Sequence, residues 1–333
     1  MLTFLTILFL ALLILGHEFG HFIAAKISGI QVDEFGVGYP PKIFSKKMGK
    51  TEYSLNLLPF GGFVRIHGDS DINLKDTKNP ERSFHYQPFW KKAFVILSGV
   101  LINILIGWIA FSIVLGVGIP GGIFIENVIE GSPADLAGLR AGEIIENYSS
   151  TDEFLKYVED HQGEEIVIND KKITPRINVP EGEGPLGVVV VPSGIEPVPF
   201  PNNIGVAFQS AMRMFGLIFV AIGSFLFGIL SGNFEALSQF TGPVGVFNIV
   251  REAGGLGAIY LIQLLGIISL NLAVLNIIPF PALDGGRLLF ISLQKIFGEK
   301  ILNRKTEVII NVAGFLFLIA LMILVTIRDI INL

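Results

Sequence analysis

The sequence predicts a membrane α-helical bundle with about four core transmembrane helices, a membrane-associated β-hairpin or sheet, and one α+β domain inserted outside the bilayer. Three observations lead there. The 333 residues are 51% hydrophobic and only 16% charged, with mean hydropathy +0.64, whereas a soluble chain carries about 25% charged residues. Several stretches reach the ~20 apolar residues that a spanning helix needs. Between them, residues 118–203 hold fifteen acidic side chains against five basic ones, a net of −10. Short β-branched runs there (GGIFIENVI, EEIVIN, PLGVVVV) alternate with Gly/Pro turns, as in a small water-exposed domain.

The first helix is expected from about Leu2 to Ser28. Residues 1–16 contain no charge. A secretory signal would open on positive residues and close on a small-residue cleavage site; here the apolar run simply continues, so the segment reads as a retained membrane helix. Residues 30–87 are polar, yet TEYSLNLLPFGGFVRIHG (51–68) is rich in strand formers and carries a Gly-Gly pair. That stretch reads as a β-hairpin or sheet lying against the bilayer. A second helix is expected from about Lys91 to Val117, with Trp90, Lys91 and Lys92 at an interface. Residues 204–230 are apolar with Arg213 as the only charge, and 240–255 is Gly-rich and irregular in pattern. Apolar runs from about Leu256 to Pro281 and from about Val308 to Ile327 follow. The expected organisation is an N-terminal membrane region (1–117), an extracytoplasmic domain (118–203), an amphipathic or re-entrant connecting segment (204–255) and a C-terminal membrane region (256–333).

Orientation follows from charge. Lys26, Lys42, Lys46, Lys47 and Lys50 follow the first helix, and Arg287, Lys295, Lys300, Arg304 and Lys305 stand in an expected loop, 284–307. Positive residues near helix ends favour the cytoplasmic side. The N-terminus and the acidic domain then face outward, and the run 256–281 travels from outside to inside. This parity makes 204–230 a segment lying on the outer face or re-entering it; the alternative is a crossing with a return through 240–255.

The chemistry concentrates at His17-Glu18-Phe19-Gly20-His21. Ionisable groups inside an apolar helix are costly without partners and mark functional sites. Positions i and i+4 of a helix project from one face about 6 Å apart along the axis. Zinc accepts two imidazoles and, in a catalytic site, keeps a position open for water, with the intervening glutamate as general base. The chain has five histidines and no cysteine, so any such metal is held by His, Asp or Glu, and two chance histidines on a helix are the bland alternative. A third ligand is expected at the same depth. Asp284, in NIIPFPALDGGRLLF (276–290), is the only acidic residue between Glu252 and Glu299; as an alternative it is an interfacial helix cap. Pro279 and Pro281 break the helix there, and Gly285-Gly286 are expected to make the tight turn that aims Asp284. A net charge of −5 without a long basic run argues against nucleic-acid binding.

HEFGH on the first helix together with NIIPFPALDGG on a later one resembles the site-2 protease family of intramembrane zinc metalloproteases, in particular its bacterial PDZ-containing members of the regulator of sigma-E protease type. Other parts agree in order. EFGVGYPPK and YSLNLLPFGGFVRIHG resemble the family's membrane-associated hairpin region. Gly99 and Asn103 in SGVLIN resemble its second-helix element, with Val100 where the family usually has Pro. GSPADLAGLRAGEIIENY (131–148) resembles a PDZ domain, and TGPVGV (241–246) the segment before the third core helix. The resemblance implies Zn2+ on His17, His21 and Asp284, Glu18 as the catalytic glutamate, and Asn276 and Asn103 on the substrate side. It implies substrates that are single-span membrane proteins, such as anti-sigma factors or remnant signal peptides, cut in the bacterial cytoplasmic membrane near its inner side. The PDZ-like domain would bind a C-terminal peptide near Pro120-Gly121-Gly122 or act as a size filter. A divalent-metal transporter and a non-catalytic PDZ scaffold are the competing expectations; the first wants more polar residues along several helices, the second the loss of Glu18 or Asp284.

Overall fold

The computed structural model describes residues 2–69, 79–145, 147–148, 150–180, 182–232, 242–298 and 304–331. They divide into two compact units, Met1–Ser112 with Ile204–Leu333, and Ile113–Asn203.

In the first unit, α1 (Leu2–Ile27) leads into two long strands, β1 (Val32–Met48) and β2 (Thr51–Ile66). The turn between them is Gly49-Lys50, with Gly49 at φ 63°, a positive φ that glycine adopts freely. The strands fold over on themselves. Glu34 to Val37 pair with Arg65 to Gly62 on one side and with Glu52 to Leu55 on the other, while Lys42 to Met48 close back on Asn56 to Thr51. Residues 51–66 are thus one long strand, and its partner 32–48 includes EFGVGYPPK (34–42), the other stretch that resembles the family's hairpin region. Helix α2 (Phe89–Val117) packs its start against this sheet. Ala24, Ala25, Ile30, Val32, Ile66, Phe84, Val95 and Ile96 form one buried cluster, with Leu288 and Ile291 against it.

The remaining helices of this unit are α5 (Asn202–Leu230), α6 (Pro243–Leu256), α7 (Ala258–Ile277), α8 (Asp284–Phe297) and α9 (Arg304–Ile331). Three expectations are corrected. The stretch 240–255 is not irregular: from Pro243 onward it is helix α6, because Pro suits the first helical turn and Val244, Val246, Phe247 and Val250 give it an apolar face. Gly257, at φ 127°, separates it from α7, so the apolar run 256–281 is a helix only to Ile277. The loop foreseen after Asp284 is largely helix α8. Thr241, the first residue of TGPVGV, lies outside the described residues.

Among the described residues four helical stretches are long and apolar enough to cross a membrane: Phe89–Val117, Asn202–Phe225, Ala258–Ile277 and Lys305–Ile331. The second belongs to α5, which is a single unbroken helix of 29 residues with span-like hydropathy.

In the second unit, β3 (Ile119–Val128), α3 (Pro133–Leu136), β4 (Ile144–Ile145), α4 (Thr151–Asp160), β5 (Ile166–Ile168), β6 (Lys171–Ile173) and β7 (Val188–Ile195) surround their own core. β3 is central in a three-stranded sheet, paired along its length with β7 but with β4 only at Ile123 and Phe124. Ser132 and Ser150 cap α3 and α4 by accepting from Asp135 and Glu153 backbone N–H groups. Phe154 and Val158 of α4 join Ile123, Ile125, Ile145 and Leu186 in the core.

Candidate metal centre

His17 and His21 stand one turn apart on α1, buried at 8% and 6% exposure. Two glycines let α2 approach this face closely: a Cβ on Gly20 would lie 2.5 Å from the Ser98 carbonyl oxygen, and one on Gly99 would lie 2.6 Å from both His17 Cε1 and His21 Nε2. Small residues at such a crossing allow backbone-close packing. Asn103, one turn beyond Gly99, then reaches His17.

Asp284 arrives from 267 residues away. Its Oδ2 lies 3.0 Å from His17 Nε2 and 3.1 Å from His21 Nε2, and the two Nε2 atoms are 3.1 Å apart. The expected role of Gly285-Gly286 is corrected here. Neither has a positive φ; the left-handed residue is Ala282, at φ 74°. A Cβ at Gly285 or Gly286 would sit 2.3 or 2.1 Å from the carbonyl oxygens of Ile277 or Phe280, so the glycines admit the backbone of the preceding loop rather than bend the chain. Ala282 is held in its unfavourable conformation by its N–H, which donates to Asn311 Oδ1 of α9 at 2.9 Å.

The donors fit zinc. His21 Nδ1 donates to the Val95 carbonyl at 2.8 Å, which fixes the tautomer with the Nε2 lone pair inward. Asn103 sets Nδ2 3.2 Å from His17 Nδ1, and its Oδ1 is a buried atom without a partner. A half-turn of this amide exchanges its two ends: a protonated His17 Nδ1 then donates to Oδ1, and the orphan disappears. That is the tautomer a metal-binding histidine takes, with its outer nitrogen donating to a fixed acceptor. Two lone pairs and a carboxylate oxygen would otherwise converge with no proton between them. Their 3.0–3.1 Å separations come within a few tenths of the roughly 3.3 Å edge of a tetrahedron with zinc's ligand distances.

Glu18, Asn103 and Asn276 line the same cavity of about 290 Å³ as the triad. Glu18 Oε2 accepts from the Val64 N–H of β2 at 3.1 Å. Asn276 Nδ2 donates to the Leu272 carbonyl at 3.0 Å. Asn103 is fully buried, and Ser269 Oγ of α7 donates to its carbonyl at 2.8 Å; its amide serves His17. Arg287, one turn after Asp284, also lines the cavity and pairs with Asp69 just past β2. Sequence reasoning missed Val95 and Val64, which act through backbone atoms and leave no side-chain signal. It also missed Arg287, legible only if α8 is foreseen, and Asn311, detectable as an isolated amide in the last apolar helix.

Such a donor set, braced from outside and open to a cavity holding a glutamate, defines a metal-dependent hydrolase. The family follows from comparison: the chain belongs to peptidase family M50, whose profile matches residues 5–321. It is 32% identical over 336 residues to "Putative zinc metalloprotease CPE1693" of Clostridium perfringens, covering 96% of this chain and 95% of that protein. It is 29% identical to "Zinc metalloprotease RasP" of Shouchella clausii, with 96% of each covered. The protein is a site-2 protease family zinc metalloendopeptidase of the membrane, and its cofactor is Zn2+. The transporter and scaffold expectations are set aside.

Proposed function

We propose that the protein hydrolyses a peptide bond in or near the transmembrane segment of single-span membrane proteins, with His17, His21 and Asp284 holding the zinc and Glu18 as general base. The convergence of three acceptor atoms within 3.1 Å, in a cavity that Glu18 also lines, carries this reading. When bound, zinc supplies Lewis acidity, lowering the pKa of a water from 15.7 toward ~7. Glu18 takes the proton of the attacking water and returns it to the leaving amine. Val64 N–H fixes one oxygen of that carboxylate.

A helical substrate hides its carbonyls, so its backbone must be extended before attack. The outer edge of residues 62–66 faces Glu18 through Val64, and a substrate strand added along that edge would bring its peptide bonds to the glutamate. Asn276 keeps its Oδ1 for a substrate N–H once Nδ2 is engaged with Leu272.

The organisation expected from charge would put the N-terminus and the domain 118–203 outside the bacterial cytoplasmic membrane, the metal centre near the cytoplasmic side, and 204–255 between them as a connecting segment. In this scheme 118–203 is the PDZ-like domain. β4 covers only Ile123 and Phe124 of β3, which leaves the backbone near Gly121-Gly122 for a C-terminal peptide. The domain serves as a size filter in the main reading. Deleting 120–195 then allows cleavage of a full-length single-span substrate, such as an anti-sigma factor or remnant signal peptide, without prior trimming.

The test of the chemistry is Glu18→Gln. Zinc content by atomic emission should stay at the wild-type level while cleavage of a single-span substrate falls by at least ~10²–10⁴-fold. A zinc-loaded, fully active Glu18→Gln protein would refute the assignment. Removing zinc with a chelator should abolish cleavage in the wild type, and adding it back should restore it.

A further inference from the structure

We propose that the groove beside the end of α1 binds the phosphate group of an anionic phospholipid through Lys26, Lys50 and Arg82. The groove encloses about 400 Å³, and those three cations line it together with Ile30, Gln31 and Met48; no acidic side chain is among its walls. Lys26 is the first cation of the chain, at the point where the apolar run of α1 ends. Its Nζ donates to Thr51 Oγ1 at 2.6 Å, and Thr51 in turn donates to the Val32 carbonyl at 2.8 Å. The Arg82 carbonyl accepts from Gln31 N–H at 3.0 Å, which pins that residue to the rim. Lys50 sits in the two-residue turn of the long hairpin. None of the three has a carboxylate partner among the described residues. Three cations around one small concavity create a positive potential that an anion relieves.

The surroundings select a lipid over free phosphate. Ile27, Phe44 and Met48 are 73%, 61% and 61% exposed, and Lys46 and Lys47 stand between the last two. Exposed apolar side chains interleaved with lysines are the composition that settles at a lipid surface, with cations at the headgroups and apolar groups just beneath. Free phosphate uses the cations and leaves the apolar rim unexplained.

Native mass spectrometry of the full-length zinc-loaded protein, released from detergent with added phosphatidylglycerol or phosphatidylcholine, tests this. The wild type should retain phosphatidylglycerol at collision energies that strip phosphatidylcholine. In Lys50→Ala/Arg82→Ala that preference should fall at least tenfold with zinc content unchanged, and in Lys50→Arg/Arg82→Lys it should persist. Equal retention of the two lipids by the wild type, or an undiminished preference in the alanine pair, overturns the proposal. So does displacement of phosphatidylglycerol by millimolar inorganic phosphate, which would make the groove a free-phosphate site. The wild-type comparison stands by itself even if the variants fold poorly.

Discussion

At the residue scale, the centre depends on what is small as much as on what ligates. Gly99 leaves the space in which both imidazoles turn inward; a Cβ would meet each ring at 2.6 Å. Gly99→Ala should therefore push the rings apart and lower zinc affinity by at least the ~10–100-fold typical of losing a supporting partner, read by competition with a chromophoric chelator. Asn103→Leu removes the acceptor for His17 Nδ1 and should weaken zinc by ~10–100-fold in the same assay, whereas a residue that touched only substrate would leave zinc affinity unmoved. The sequence displayed His17, Glu18, His21 and Asp284 because charge and imidazole are conspicuous in an apolar run. It displayed Asn103 too, but toward the substrate; only the crossing of α1 and α2 shows that its amide faces a histidine.

At the element scale, the folded-over hairpin is held at Glu34, which is 4% exposed. Its carboxylate accepts from Ser54 Oγ at 2.6 Å and pairs with Lys42 at 3.0 Å and Arg65 at 3.3 Å, so the central leg is tied to each of the other three. Burial pushes this carboxyl upward, but Ser54, Lys42 and Arg65 outweigh it and hold the group below its ordinary 4.5. A depressed folded value stabilises the sheet fully above the unfolded pKa, and that contribution is lost as pH falls through the folded one. Amide protection factors across 32–66, taken relative to the intrinsic exchange rate at each pH, should fall as pH drops below the ordinary glutamate range. Glu34→Ala should bring the same loosening at neutral pH, by about 1.5–3 kcal/mol; unchanged protection in the variant would mean the ladder bonds suffice. Composition by itself did not show the strand 32–48, whose lysines and Pro40-Pro41 look like loop while its stability comes from non-local pairing; only the resemblance of 34–42 to the hairpin region pointed to it. Helix α8 escaped because its cations resemble a cytoplasmic loop.

At the scale of the whole molecule, the unit 113–203 carries a core of its own, centred on Phe154, which is fully buried. Phe154→Ala should destabilise that unit by about 3–5 kcal/mol, seen as earlier loss of protease resistance within 113–203. Zinc content should not change, because the donors belong to the other unit. Coupled loss of zinc would show that the two units do not fold independently. Composition changes abruptly at residue 118, a few residues after this unit begins at Ile113. The continuity of α5 was not legible from composition, since parity of charge and hydropathy pointed in different directions over the same residues.

By itself the sequence separated apolar from polar segments, singled out the candidate metal donors and gave the class of chemistry. These follow from local facts: an uninterrupted apolar run, a four-residue spacing, and an acidic group rare enough to stand out. Only the tertiary structure decided which nitrogen of each histidine turns inward, that glycines at 99, 285 and 286 are needed for close approach rather than for turns, and that Val64 holds Glu18. Those are relations between backbones far apart in the chain, and packing, not periodicity, fixes them.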